Sequence, residues 1–304
     1  MPTRTALLTA LAMLAFAGNS LLCRMALKFT GVDAASFTAV RLVSGALALA
    51  LILQWRSGVK SAAGARVATG PVAMALALAN GNWGSALALF AYAALFSFAY
   101  VGMTAATGAL LLFGAVQASM IGWGLAHGER LRPWQALGFA TALGGLVSLM
   151  LPGFAAPSFS SALAMVGAGV AWGAYSLRGK ANPPNKEPGL AADPLATTCG
   201  NFVRTIPMAL ALCAAFLPTL RWDGAGFALA IASGAVTSGV GYAVWYRALP
   251  ALQATHAATV QLSVPLIAAV GGVVLLGEST TWGLFYASIA ILGGIALVLR
   301  KPHA

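Results

Sequence analysis

Two pairs of aromatic residues stand at helical spacing inside apolar runs: Trp172 with Tyr175, three apart, and Tyr92 with Phe96, four apart. Residues so spaced share one helix face. An aromatic face can hold an ammonium group by cation–π contact, worth about 2 kcal/mol when desolvated. Trp172 lies deeper in its run than an interfacial belt position, whereas Tyr175 is closer to one. Core packing competes as the role of Phe96. Tyr92 needs a hydrogen-bond partner at such depth. Tyr242 is the deepest, and the one cavity candidate, of a group with Trp245 and Tyr246, which beside Arg247 read as a belt. Asn19, Gln117, His256 and Gln261 are uncharged polar residues within apolar runs. Amide and hydroxyl groups can hold a carboxylate, as can a helix N-terminus. The competing role is interhelical hydrogen bonding, worth roughly 0.6 kcal/mol each. His256 is the one group there that titrates near neutrality.

Bond-making chemistry has no such support. There is no HExxH pair, no paired carboxylates at depth and no glycine-rich phosphate loop followed by Lys. His127 and Glu129 have the spacing of a zinc-deaminase fragment but no Cys partners near them. Cys23, Cys199 and Cys213 show no CxxC spacing. No enzyme, cofactor or metal is therefore expected. Arg41 and Arg204 interrupt two apolar runs, and snorkelling or binding of backbone carbonyls is favoured for them over ligand contact. Glu129 and Glu278 are expected to be loop anchors pairing with a neighbouring Arg.

The elements that must position these residues follow from composition. The 304 residues are 60% hydrophobic and 8% charged, with a mean hydropathy of +0.86. A soluble domain carries about a quarter charged residues, so most of this chain faces lipid or other helices. A span needs about 20 apolar residues. Ten spans follow: 5–27, 34–55, 82–102, 104–126, 133–151, 160–178, 194–218, 225–247, 253–276 and 280–299. Pro71–Ala79 is too short to span and extends the third helix or lies along the interface. The first run resembles a signal peptide with Ala15-Phe16-Ala17 as a cleavage site, but it continues to Cys23 and reads as a retained first helix.

The net charge of +11 is not a nucleic-acid signal, because Lys and Arg are scattered at helix ends without a basic stripe. It reports topology. With the N-terminus inside, twelve Lys and Arg fall on the inner side, three outside and two within helices. Positive loops stay cytoplasmic, so both termini are expected there.

The chain also repeats itself. Ala10-Leu11-Ala12-Met13 recurs 152 residues on, at Ala162-Leu163-Ala164-Met165. Gly128-Glu129, with Gly144-Gly145 after it, recurs 149 residues on, at Gly277-Glu278 with Gly293-Gly294. A repeat of five spans places its second copy upside down, the geometry on which alternating access is built. The units are 1–152 and 153–304.

Five-plus-five helices, a Gly-Glu closing the fourth helix of each half and a Gly-Gly in the next resemble the drug/metabolite transporter superfamily. Gly128-Glu129-Arg130-Leu131, Gln135 and Gly138 belong to the matching stretch, and the whole chain takes part. Within it the chain resembles the bacterial amino-acid exporter branch, although helix 1 has Phe16-Ala17-Gly18-Asn19 in place of a Trp-Ser/Gly element. Helix 4 carries Gln117 where a proline is common; helix 9 keeps its proline, Pro265. The resemblance implies an all-α integral membrane protein: ten transmembrane helices in two inverted five-helix repeats around a central cavity. It also implies a monomer in the bacterial inner membrane that exports amino acids of aromatic, methionine or threonine type. Multidrug or sugar-phosphate carriage is the alternative, and Arg41 or Arg204 pointing inward would favour it. All six acids lie at loops or helix ends, which points to facilitated diffusion rather than proton coupling.

Overall fold

Short polar residues set the helix starts. Asp33 accepts hydrogen bonds from the backbone N–H of Ala35 and Ser36, both at 2.9 Å. Asn82 accepts from Ser85 (2.8 Å), Thr104 from Thr107 (3.2 Å) and Asp223 from Gly226 (2.7 Å). Each satisfies N–H groups that a helix leaves orphaned at its first turn. Two of the ends are set by glycine: Gly128 has φ of +91° and Gly277 of +61°. A left-handed residue after a helix is nearly always glycine, since a Cβ is strained there. After Gly277, the Glu278 N–H closes back on the Gly272 carbonyl at 3.0 Å. The duplicated Gly-Glu is thus, at its glycine, a helix stop.

The structure, a computed structural model, describes residues 3–61, 80–128, 130–149, 157–181, 194–248, 251–252 and 260–299. Its helices are α1 (Thr3–Phe29), α2 (Ala34–Ser61), α3 (Trp83–Tyr100), α4 (Ala105–Ala126) and α5 (Pro133–Ser148), followed by α6 (Phe159–Ala181), α7 (Pro194–Ala215), α8 (224–248), α9 (Ser263–Leu276) and α10 (Trp282–Leu299). The ten expected spans correspond to these one by one. The stretch 71–79 and the start of the expected ninth span lie outside the described residues, as do His256, Glu129 and most of the loop before α7. Among the described residues seven helices are long and apolar enough to cross a membrane, and α9 is a shorter apolar one. Large apolar side chains such as Leu47, Leu51, Val270, Val274 and Ile289 face outward, while Asn19, Thr38, Arg41 and Ser233 are buried. That inside-out distribution suits a lipid surround.

One feature of α8 departs from the plain helix expected. Between Gly224–Ile231 and Gly241–Ala248 the backbone over Ala232–Val240 is π-helical. Ser233, Gly234, Ser238 and Gly239 in this stretch are weak helix formers. The wider coil carries Gly234 so close to the Arg41 carbonyl and Ser44 on α2 that a Cβ would not fit.

Among the described residues the largest packing contacts are kept when each helix is exchanged for the one five places on. α3 packs on α6 as α1 packs on α8; α4 on α6 as α1 on α9; α2 on α8 as α3 on α7. The pairs α2·α7, α4·α9 and α5·α10 map onto themselves. In α2·α7, Ala46 meets Cys199 while Ala35 meets Cys213, so the two run antiparallel. In α5·α10, Gly138 meets Gly294 while Gly145 meets Ala290 and Ile291, again antiparallel. Gln135 on α5 adds a hydrogen bond from its side-chain N–H to the Val298 carbonyl at 3.0 Å. The second copy is therefore inverted. The α5·α10 pair stands to one side, and helices 1, 3, 4, 6 and 8 surround the centre, where the polar residues collect.

Candidate functional site

On α1, Phe16, Asn19 and Ser20 share a face at i, i+3 and i+4. They meet Tyr92 and Phe96 of α3, Leu112 and Phe113 of α4, Trp172 of α6 and Thr237, Ser238 and Tyr242 of α8, with Gln261 just ahead of α9. Together these line a cavity of about 30 Å³, room for about two waters.

Asn19 organises its polar side. Its amide N–H donates to the Tyr92 hydroxyl at 3.2 Å, and its carbonyl oxygen accepts from the Ser233 hydroxyl at 2.7 Å. The Thr237 hydroxyl lies 3.4 Å from that oxygen but donates at 2.7 Å to the Ser233 carbonyl. Ser233 and Thr237 are four apart and belong to the π-helical stretch, which aims both at α1. A guanidinium N–H of Arg41 donates to the same Tyr92 hydroxyl at 3.2 Å. The opposite side is aromatic. Trp172 stacks on Tyr242 with centroids 5.4 Å apart and planes 18° apart, and reaches Tyr92 at 4.8 Å. Phe16 meets Tyr242 edge-on at 5.9 Å. These spacings lie within the range of favourable ring pairs.

Of the nine sequence candidates, Asn19, Tyr92, Phe96, Trp172, Tyr242 and Gln261 line this one cavity. Tyr175 stands behind Trp172, at 5.5 Å between centroids, and its hydroxyl accepts from the Asn201 amide at 3.3 Å. Gln117 is buried on α4 but is not among the lining residues. His256 lies outside the described residues.

Two readings are corrected. Arg41 does not snorkel: it is 2% exposed, its stem turns inward, and its guanidinium lies over the rings of Phe96 (4.9 Å) and Tyr92 (5.3 Å). About two turns into α2, it is held by those faces and the Tyr92 hydroxyl. Trp245 is not a belt residue: it is buried and packs on Phe16 at 5.9 Å. Arg204 does bind a backbone carbonyl, that of Gly200 at 3.0 Å. Ser233 and Thr237 escaped notice because Ser and Thr are common helix glue; their spacing of four, opposite a polar α1 face, was the available signal.

One end of the bundle, where α1 finishes, is tied shut. Arg24 pairs with Glu278 at 3.0 Å and donates to the Tyr100 carbonyl at 2.9 Å. The other Glu278 oxygen accepts from the Ala105 N–H at 2.8 Å, at the N-terminus of α4, where the helix dipole favours negative charge. Lys28 reaches the Leu276 carbonyl at 3.4 Å. So Glu278 is the Arg-paired anchor expected of it. Beyond this end, two loops clasp reciprocally: Asp33 accepts from the Arg221 N–H at 2.7 Å, and Asp223 from the Gly31 N–H at 3.1 Å. Partial burial alone would raise the Asp33 carboxyl, but hydrogen bonds from Ser36, Arg221 and Ala35 hold it below its ordinary value. Hydrogen bonds from the Gly226 and Gly31 N–H groups lower Asp223 likewise. Among the described residues no three His, Cys, Asp or Glu side chains converge as metal ligands would.

Known proteins agree with this architecture. A solved crystal structure 17% identical in sequence superposes with a TM-score of 0.61 over 98% of each chain, which bears on the fold alone. Uncharacterized protein PA1977 of Pseudomonas aeruginosa is 54% identical over 296 residues, covering 97% of this chain and 94% of its own. The model of the EamA-like transporter family matches residues 159–300, from the first residue of α6 to just past α10. With its helical bundle, lipid-facing exterior and central polar and aromatic cavity, the chain carries over residues 159–300 a domain of the EamA-like transporter family, within the drug/metabolite transporter superfamily, and is a multi-pass membrane transporter and not an enzyme.

Proposed function

We propose that this transporter exports free amino acids with aromatic, methionine-like or threonine-like side chains across the bacterial inner membrane by alternating access. The observation that carries the reading is the two-sided cavity. Trp172, Tyr242 and Phe16 offer ring faces to an ammonium and an apolar side chain, and Asn19, Tyr92 and Thr237 offer groups that suit a carboxylate. A cavity of about 30 Å³ is too small for any amino acid, so cargo enters only when the helices part, as alternation between two inverted repeats, 1–152 and 153–304, would allow. The Lys and Arg distribution supports both termini in the cytoplasm, and the working unit is taken as a monomer. No Asp or Glu is among the residues that line the cavity, which favours facilitated diffusion over proton antiport.

The test is counterflow of labelled amino acids in proteoliposomes, with and without a pH gradient. Exchange of aromatic or methionine-like amino acids, indifferent to the gradient, is expected. Accumulation above equilibrium that collapses with a protonophore would refute the uniport, and no exchange of any amino acid would refute the cargo. Trp172→Ala should cut exchange while membrane insertion persists. A second reading, carriage of a phosphate-bearing metabolite, is favoured by one observation, the inward guanidinium of Arg41. A phosphate dianion calls for more than one such charge, and the residues that line the cavity include no Lys or Arg.

A further inference from the structure

Arg41 has no counter-charge among the described residues. It is 2% exposed, about two turns into α2, and a guanidinium keeps its proton in a protein. Among the described residues its one hydrogen bond goes to the Tyr92 hydroxyl, and its second terminal nitrogen, Nη1, has no hydrogen-bond partner. The ion pair among the described residues is made by Arg24 and Glu278 at the bundle end, and Arg41 takes no part in it. A buried charge left unpaired is strongly unfavourable, and a charge kept at membrane depth marks a functional site.

The Tyr92 hydroxyl shows where this charge acts. Its oxygen accepts from both Asn19 and Arg41 at 3.2 Å. Its own proton is used on neither, and no acceptor for it stands among the described residues. Tyr92 lines the cavity, whose other lining residues are uncharged. The cavity therefore presents one O–H donor backed by a fixed positive charge, and nothing negative to answer it.

We propose that Arg41, with the Tyr92 hydroxyl it holds, is the anion anchor of the cavity, so that cargo must carry a free carboxylate. This deepens the amino-acid reading and rests on it for the ammonium and side chain only. One guanidinium and one phenol suit a single carboxylate better than a phosphate dianion. Tyr92 is the direct donor; Arg41 sets the potential and takes the anion when Tyr92 turns aside.

The test uses the full-length protein in detergent. Its thermal unfolding is followed with each common amino acid as free acid and as amide, and with 3-phenylpropanoate and phenyl phosphate. Free acids and 3-phenylpropanoate should raise the midpoint at concentrations about tenfold lower than the amides do, the loss expected for one charge-assisted hydrogen bond. Arg41→Met should abolish that difference and Arg41→Lys should keep part of it. The comparison of acid with amide on the native chain stands even where a variant does not insert. Equal action of acids and amides would overturn the anchor and leave the amino-acid reading intact. Action of 3-phenylpropanoate without any amino acid would uphold the anchor and overturn the amino-acid reading. Phenyl phosphate acting below 3-phenylpropanoate would overturn the carboxylate assignment, and no effect of any probe would overturn both.

Discussion

One phenol oxygen, that of Tyr92, receives the hydrogen bonds of both Asn19 and Arg41. Tyr92→Phe keeps the ring contacts to Trp172 and Phe96 and strips two buried donors of their acceptor at once. An unsatisfied buried donor costs about 1–3 kcal/mol, so the variant should unfold at lower temperature as well as lose transport. Unchanged stability would mean that Asn19 and Arg41 find other acceptors, or water, when the hydroxyl goes. The residue scale is also where legibility was most uneven. Asn19, Tyr92 and Trp172 were readable because a polar or amphipathic side chain at depth has few excuses other than a partner or a cavity. Arg41 was not, because its long stem permits two opposite outcomes. Only the position of Tyr92 and Phe96 across the helix boundary decides between reaching water and turning inward.

Gly144-Gly145 and Gly293-Gly294 were legible as a repeated motif, yet the two glycines of each pair do different things. A Cβ on Gly145 would press on Ala290 and Ile291 at 2.9 Å, and one on Gly294 would meet the Gly138 carbonyl and Ala142. A Cβ on Gly144 or Gly293 would meet nothing within 4 Å. Gly294→Ala should therefore cost about 1–3 kcal/mol by overpacking the α5·α10 contact. Gly293→Ala should be neutral or stabilise by up to about 1 kcal/mol through helix propensity. Thermal unfolding of the two variants side by side checks this, and equal effects would refute the close approach. The loops allow a second test at this scale. Asp33 is held below its ordinary value, so its contribution is complete above the unfolded carboxylate value of about 3.9 and disappears as pH falls through the folded one. Asp33→Asn should thus lower stability at pH 7 and match the native chain at strongly acid pH; a gap independent of pH would show that charge plays no part. The π-helical stretch of α8 was not legible at all. No residue type demands that coil, and it arises where Gly234 and Ser233 let α8 settle onto α2 and α1 together.

For the whole molecule, the symmetry of the packing sets a requirement that the present conformation does not meet. Exchanging each helix for its inverted copy keeps the main pairings, so both ends of the bundle should be able to open by equivalent motions of α1, α3 and α4 or of α6, α8 and α9. In this conformation the Arg24 end joins α1, α3, α4 and α9 through Glu278, Tyr100 and Ala105. Opening that end must break the ion pair. Glu278→Gln keeps an acceptor for the Ala105 N–H and removes the charge that Arg24 answers. The chain supplies its own reporter, because Cys23 adjoins Arg24 and is fully buried. With Cys199 and Cys213 changed to Ser, a membrane-impermeant maleimide should modify Cys23 in the Glu278→Gln variant about tenfold faster than in the native sequence. A factor of ten corresponds to about 1.4 kcal/mol of closed-state stability, less than the cost of breaking a fully buried pair. An unchanged rate in a protein that still inserts and transports would mean that the pair is a static brace, and that opening at this end is governed by the packing of α1 against α9 instead.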